Sequence, residues 1–184
     1  MSLRGTAFIA GAFEHPRRDI PDRTLAQVHA EVAIGALADA GLSMSDVDAY
    51  YCAGDAPGFG PISMAEYLGL SCLTYDSTET GGSSYLVHVG HAAAAIAAGH
   101  AHVALITLAG LPRNGGNLPG SASAFSAAPE SEFEGMWGTS VVGNYALAAR
   151  RHMHEYGTTS EQLAEIKLAA SLHAQHNPNA FLRD

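Results

Sequence analysis

The chain reads as an α/β protein built in layers, with helices on both sides of a sheet. Three observations lead there. Strand-like and helix-like segments alternate along the first hundred residues, the pattern of strands joined by helical crossovers. The segment from Gly82 to Gly99 carries no charged residue on any side, and a helix that is apolar all round is buried all round. Directly after it, within His102–Ala109, Val103, Ala104, Leu105 and Ile106 form a continuous apolar run, the signature of a strand covered on both faces. A second layer, either another sheet or a partner subunit, must then cover the far side of the dry helix. A layered α/β/α arrangement follows, rather than a simple doubly wound sheet.

Each element has its own local reason. Ala7, Phe8, Ile9 and Ala10 make a compact apolar stretch inside Leu3–Phe13, ended by Gly11 and a charged segment through Arg23, so a strand and loop are expected there. Thr24 and Gln27 have capping-box spacing, the apolar Leu25, Val28, Val32, Ile34 and Leu37 follow, and Gly41 stops the helix. Asp48–Ala53 is a short strand. The loop from Gly54 to Gly60 lacks the glycine spacings that cradle phosphate and reads as a turn. Met64–Leu70 is a short helix and Cys72–Thr78 a strand rich in β-branched and aromatic residues. Residues 110–139, rich in Gly, Pro, Ser and Asn, form a long loop region of the functional kind. Two helices close the chain: Ser140–Tyr156, capped by Gly157, and Ser160 to about Gln175, with Thr159 and Gln162 at capping-box spacing and Asn177-Pro178 beyond. No internal repeat or domain boundary is visible, so residues 1–184 read as one domain with 110–139 as an inserted loop.

Composition excludes several functions. At 47% hydrophobic and 15% charged residues over 184, against the usual ~25% charged, the chain is neither disordered nor fibrous, and a subunit interface is expected. The net charge of −9 and the single lysine, Lys167, leave little to hold nucleic acid phosphates. The longest apolar run, Ala92–Ala98, is far short of the ~20 residues that span a bilayer. Cys52 and Cys72 are too few for a disulfide framework, and nothing like a signal peptide precedes the first apolar stretch, so a reduced cytoplasm is expected.

The chemistry concentrates at Gly81-Gly82-Ser83-Ser84. A strand followed by this turn and a buried helix presents the first backbone N–H groups and the positive dipole end of the helix to whatever lies beyond, a place that favours an anion or a developing oxyanion. The glycines equally allow tight packing of helix on strand, and the pattern alone leaves both readings open. The turn is not the GxSxG elbow of serine hydrolases. Of ten histidines, eight fall in close pairs, His88 and His91, His100 and His102, His152 and His154, and His173 and His176; none forms an HExxH or joins a cysteine cluster, so no metal is expected. His88 and His91 are odd on a dry helix; one should bond a backbone carbonyl or face a cavity. Cys52 and Cys72 read as small core residues. Arg17, Arg18, Arg150 and Arg151 read as solvated, and Arg113 in the long loop could meet a phosphate.

Gly82-Ser-Ser-Tyr-Leu-Val-His-Val-Gly-His-Ala-Ala-Ala-Ala-Ile-Ala-Ala-Gly99 with His100-Ala-His-Val-Ala-Leu-Ile106 resembles the N-terminal half of the thiolase superfamily, in the sterol-carrier-protein thiolase-like branch that includes lipid-transfer proteins and steroid side-chain aldolases. Asn144–Gly157 and Ser171–Pro178 resemble that branch's closing helices. The resemblance implies the thiolase-like fold: a mixed five-stranded sheet with a buried central helix, dimeric, with a strand near Thr74–Thr78 at the interface. Counting back from Ile96, the family's nucleophilic cysteine falls on Gly82, which has no side chain to acylate. The implied ligand is a lipid or steroid acyl-coenzyme A, with no tightly bound cofactor and coenzyme A entering as part of the substrate. The implied site is Gly82, Ser83 and Ser84, whose N–H groups stabilise an enolate or oxyanion, with Arg113, Met136 and Trp137 on the coenzyme A and acyl side. The implied chemistry is carbon–carbon cleavage or formation of retro-aldol type, the acid and base coming from the family's other half. The alternatives are an ordinary acetyl-CoA acyltransferase using another nucleophile, and a non-catalytic lipid-transfer or scaffolding subunit docking an OB-fold, DUF35-type partner.

Overall fold

The computed structural model describes residues 3–53, 56–111, 129, 131–134, 141–180 and 182–183. The chain divides into two compact units, Met1–Ser121 and Ala122–Asp184.

In the first unit α1 (Leu25–Ala40) leads to a single 3-10 turn (Met44–Asp46), β1 (Ala49–Tyr51), α2 (Pro61–Leu68), β2 (Thr74–Asp76), α3 (Ser84–Ala97) and β3 (Ala104–Ile106). The expected capping box of α1 is present: Gln27 N–H donates to Thr24 Oγ1 at 3.2 Å and Thr24 N–H to Gln27 Oε1 at 2.8 Å. Gly41 closes the helix at φ +70°, and Leu42 N–H reaches back to Leu37 O. Met64–Leu70 of the sequence reading starts earlier in space, at Pro61, because proline suits the first helical position, where its missing N–H is not needed.

The sheet has strand order β2-β1-β3, and both pairs are parallel, with Ala49 opposite Thr74 on one side and Ala104 on the other. Alternation along β1 splits its side chains between two cores. Tyr50 and Cys52 join Ala33, Leu37, Val47, Met64, Ala65 and Leu105, which lie beneath α1 and α2. Ala49 and Tyr51 join Ala92 and Ala101 against α3. This is the expected helix, sheet and helix layering. Asp48 ties the ladder's start together: its carboxylate accepts from the N–H groups of His102 and Val103 at 2.9 Å and from His102 Nδ1. Burial pushes its carboxyl up, but those bonds outweigh it and leave it below the ordinary aspartate value.

Two expectations change. The stretch expected as a first strand, Leu3–Phe13, pairs with no strand among the described residues. It lies instead against α1: Ala12 N–H donates to Asp39, and a Cβ on Gly11 would come within 2.4 Å of Ala36 O. Packing of Phe13 on Gly35 holds the end of the segment there, while Phe8 and Ile9 of the apolar run stay exposed. Secondly, α3 is not enclosed on all sides by the described residues. Ser84, His88 and Ala92 are buried on the sheet, while Leu86 is 77% exposed and Gly90, His91 and Ala94 also face outward. Between residues 7–13, the helices α1 and α3, and β3 runs an apolar groove of about 1050 Å³, lined by Phe8, Val32, Leu86, Val89, Leu105 and others.

A buried polar group spans the layers. Thr107, just past β3, has its hydroxyl 2.8 Å from His29 Nδ1 of α1 and 2.7 Å from the Tyr50 hydroxyl of β1, and all three residues are at most 3% exposed. The arginines expected as solvated carry surface ion pairs: Arg17 with Asp22, Arg18 with Glu14, and Arg151 with Glu155.

The second unit holds α4 (Ser131–Glu134), α5 (Val141–Tyr156) and α6 (Ser160–Ala174). Thr159 and Gln162 form the expected capping box. Neither α5 nor α6 contains a buried residue, and Val142, Tyr145, Leu147 and Ile166 are each at least 66% exposed. No helix among the described residues is long and apolar enough to cross a membrane.

Replacing Thr107 with valine keeps the shape and removes the shared hydroxyl. The expected outcome is a loss of about 1 to 3 kcal/mol, because two buried polar side chains lose that partner, read as a lowered urea midpoint at unchanged slope.

Candidate functional site

The turn between β2 and α3 is built by side chains of its own neighbourhood. Asp76, the last residue of β2, accepts from Thr78 N–H at 2.8 Å and from Thr78 Oγ1 at 2.7 Å, an aspartate turn that bends the chain out of the strand. His91 Nδ1, one helical level further along α3, bonds the other carboxylate oxygen. Burial raises the Asp76 carboxyl, but the bonds from His91 and Thr78 more than offset it and hold it below the usual aspartate value. His88 is fully buried, with Nε2 3.1 Å from the carbonyl oxygen of Thr78. A carbonyl only accepts, so Nε2 donates to it; Nδ1 meets no hydrogen-bond partner. The ring sits edge-on to Tyr85 and tilted to Tyr51. One of the two odd histidines does bond a backbone carbonyl, as expected, and the other bonds an acid.

Beyond Thr78 the chain wraps over the amino end of α3. Gly81 has φ +70°, a conformation that favours glycine. Its N–H donates to Glu79 Oε1 at 2.7 Å. The Ser84 hydroxyl accepts from Thr80 N–H at 2.8 Å and directs its proton toward Gly81 O at 2.6 Å, with Glu79 Oε1 at 3.1 Å as second acceptor. Ser84 N–H also goes to Gly81 O. The three sequence-predicted residues of the turn therefore differ in kind. Ser84 is 0% exposed, with hydroxyl and N–H both turned inward to hold the turn. Ser83 is exposed and stands at the helix cap without a side-chain capping bond. Gly82 is exposed, and a Cβ built on it meets nothing within 4 Å. Arg113, Met136 and Trp137 lie outside the described residues.

Elsewhere, Cys52 is buried in the core and burial pushes the half-buried Cys72 thiol up, away from thiolate chemistry. His152 and His154 are exposed on α5, His152 near Thr158 Oγ1 at 3.0 Å. Among the described residues no group of three or more His, Cys, Asp or Glu side chains converges as a metal site. Sequence reasoning passed over Asp76, Thr78 and Glu79. The available signals were the Asp-x-Thr spacing of an aspartate turn and an acid placed just before a helix start, where the dipole favours negative charge.

A layered α/β chain with a buried alanine-rich helix entering from a Gly-Gly-Ser turn is thiolase-like in class. Its sequence and fold are similar to those of the thiolase superfamily. It is 32% identical to the 17-hydroxy-3-oxo-4-pregnene-20-carboxyl-CoA lyase of Mycobacterium tuberculosis over 97% of its length and 48% of that protein. It is 32% identical to the steroid side-chain-cleaving aldolase of Thermomonospora curvata over 97% of its length and 47% of that protein. With the acetyl-CoA acetyltransferase of Methanothermobacter thermautotrophicus it shares 31% identity over 82% of its length and 40% of that protein. A solved Ltp2–ChsH2 (DUF35) aldolase matches the fold with a TM-score of 0.71 at 28% identity, over 94% of this chain and 44% of that one. The chain thus spans about half the length of the curated relatives it matches. No protein-family model matches it.

Gly82→Cys is expected to fold with stability within about 1 kcal/mol of wild type, since the space is open and its φ lies outside the left-handed region. Iodoacetamide should then label Cys at 82 in the native state while buried Cys52 stays unlabelled, as read by peptide mass spectrometry. Asp76 binds fewer protons folded than unfolded, so it stabilises above its ordinary value near 3.8 and that contribution is lost as pH falls through its lower folded value. Asp76→Asn should cost about 1 to 3 kcal/mol at pH 7 and give a shallower decline in melting temperature between pH 5 and 3.

Proposed function

We propose that the chain forms part of an enzyme that acts on lipid- or steroid-type acyl-coenzyme A thioesters and breaks or makes a carbon–carbon bond beside the thioester by aldol chemistry, without a covalent acyl-enzyme. The observation that carries this reading is Gly82. It stands where the resemblance puts the family's cysteine, at the open amino end of α3, and offers no atom to acylate. Acyl transfer needs a nucleophile to hold the acyl group between two partners. Aldol cleavage needs none, because no acyl group changes hands: the bond between the α carbon and the hydroxyl-bearing carbon breaks, and the charge moves into the thioester as an enolate. What that step asks for is a place that stabilises the enolate oxygen, which donors at the start of a long helix supply. The Gly82–Ser83 end of the turn is our candidate, Ser84 serving to hold it. The similarity to two enzymes named for side-chain cleavage, each over 97% of the chain, supports the same choice over the acetyltransferase reading.

In this reading coenzyme A arrives as part of the substrate and no cofactor is bound tightly. Residues 110–139, with Arg113, Met136 and Trp137, shape the acyl and coenzyme A side of the site. The outer edge of β2 meets a second copy of the chain, and a DUF35-type OB-fold protein is the natural partner to test, because the solved relative is a ChsH2 (DUF35) aldolase.

The natively expressed protein, alone and with such a partner, is to be incubated with a branched β-hydroxyacyl-coenzyme A. A ketone and a shortened acyl-coenzyme A are expected, with no change in protein mass. A covalent adduct on Ser83 would establish an acyltransferase instead, and tight binding without turnover a lipid-transfer or scaffolding subunit.

A further inference from the structure

We infer that the open edge of β3 takes a further strand from a second, different polypeptide, one whose side chains are apolar on both faces. The inference is independent of the aldolase reading and concerns how the sheet is completed. Strand order β2-β1-β3 leaves β3 at an edge among the described residues. Along a strand, alternate residues turn their backbone groups to opposite sides. Val103 O accepts from Ala49 N–H and Thr107 N–H donates to Tyr51 O, so Ala104 and Ile106, between them, turn their N–H and C=O groups away from β1. They turn toward the apolar groove of about 1050 Å³, which Val32 and Ala36 of α1 and Leu86 and Val89 of α3 also line.

The occupant follows from charge and shape. The edge offers a row of partial charges, positive at each N–H and negative at each C=O, and what complements such a row is another extended backbone. An acyl chain would fill the apolar space but leave those groups unpaired and cut off from water, which costs free energy. Alternation along β3 sets the side chains. Leu105 belongs to the core beneath α1, whereas Ala104 and Ile106 pack with Ala92 and Ala101 on the α3 side. A neighbouring strand continues both cores, so both of its faces must be apolar. From Val103 to Leu108 the edge has no charged residue and no proline, the devices that keep edge strands from pairing, whereas the opposite edge, β2, ends in Asp76. The chain's own strand-former, Ala7–Ala10, is tied to α1 by the residues after it: Gly11 sits against Ala36, Ala12 N–H bonds Asp39, and Phe13 packs on Gly35. A second copy carries the same stretch tied in the same way, which leaves a different polypeptide as the donor.

Hydrogen exchange read residue by residue on the full chain tests this, with the peptide acetyl-Lys-Val-Val-Val-Val-Val-Lys-amide as probe. Without peptide, the amides of Ala104 and Ile106 are expected to exchange at least about 10-fold faster than that of Thr107, which bonds β1. Saturating peptide should slow both by about 10-fold or more. Leu86→Glu, on the exposed groove wall, should weaken peptide binding about 10-fold at unchanged melting temperature, because the new charge is covered when the strand lies in. Ile106→Pro removes one outward N–H and should weaken it as well. The same peptide with alternate valines N-methylated keeps the side chains, loses the donors and should not bind. Slow exchange at Ala104 and Ile106 in the chain without peptide overturns the inference: independent of protein concentration, it assigns the edge to Ala7–Ala10, and growing with concentration, to a second copy. Failure of the peptide to bind also overturns it, as does equal binding of the N-methylated peptide, which would mark the groove as a seat for apolar groups alone.

Discussion

The turn that carries the chain from β2 into α3 is held by the chain's own side chains. A helix start leaves N–H groups without intrahelical partners, and Ser83, in the cap position, offers no side-chain bond to them. Ser84, Glu79 and Asp76 accept instead from the N–H groups of Thr80, Gly81 and Thr78, which lead into the helix, and His88 bonds the Thr78 carbonyl. The consequence is a turn whose shape is held from within, by a buried serine and a buried histidine, while Gly82 stays exposed. A site of this kind can lose its nucleophile without losing its geometry, because the side chain at 82 is not among the groups that hold it.

Two aspartates at opposite ends of neighbouring strands fix the sheet, and one of them starts this turn. Asp48 gathers the start of β3 beside the start of β1, and Asp76 sends the chain off the end of β2 toward α3. In both, hydrogen bonds outweigh the burial that would otherwise favour the protonated form. Charged groups half inside a protein persist only when so bonded, which places both carboxylates among the structural parts of the fold.

Several surfaces show apolar side chains in quantity: the outer side of α3 with Leu86 and Val89, the residues of α5 and α6, and Phe8 and Ile9 near the amino terminus. Ordinary surfaces carry isolated apolar side chains, but clustered ones mark interaction faces. Among the described residues of the first unit, the dry helix of the sequence reading buries Ser84, His88 and Ala92 on the sheet and leaves Leu86 exposed.

Local signals in the amino-acid order were strong where one or two neighbouring residues decide the outcome. The capping boxes at Thr24 and Thr159 and the stop at Gly41 are of that sort, since a cap or a positive φ is settled within four residues. The tertiary structure alone decided the rest. The apolar run at Ala7–Ala10 has the composition of a strand, yet the chain beside it is seated on α1 because Gly11 and Gly35 permit close approach, which no periodicity encodes. The union of His29, Tyr50 and Thr107 joins residues up to 78 positions apart. Glu79 became visible as a group of the turn only once the wrap of the chain over α3 had brought its carboxylate to Gly81 and Ser84. Sequence spacing reports neighbours along the backbone, whereas proton transfer and hydrogen bonding depend on distances across space, and folding is what converts one into the other.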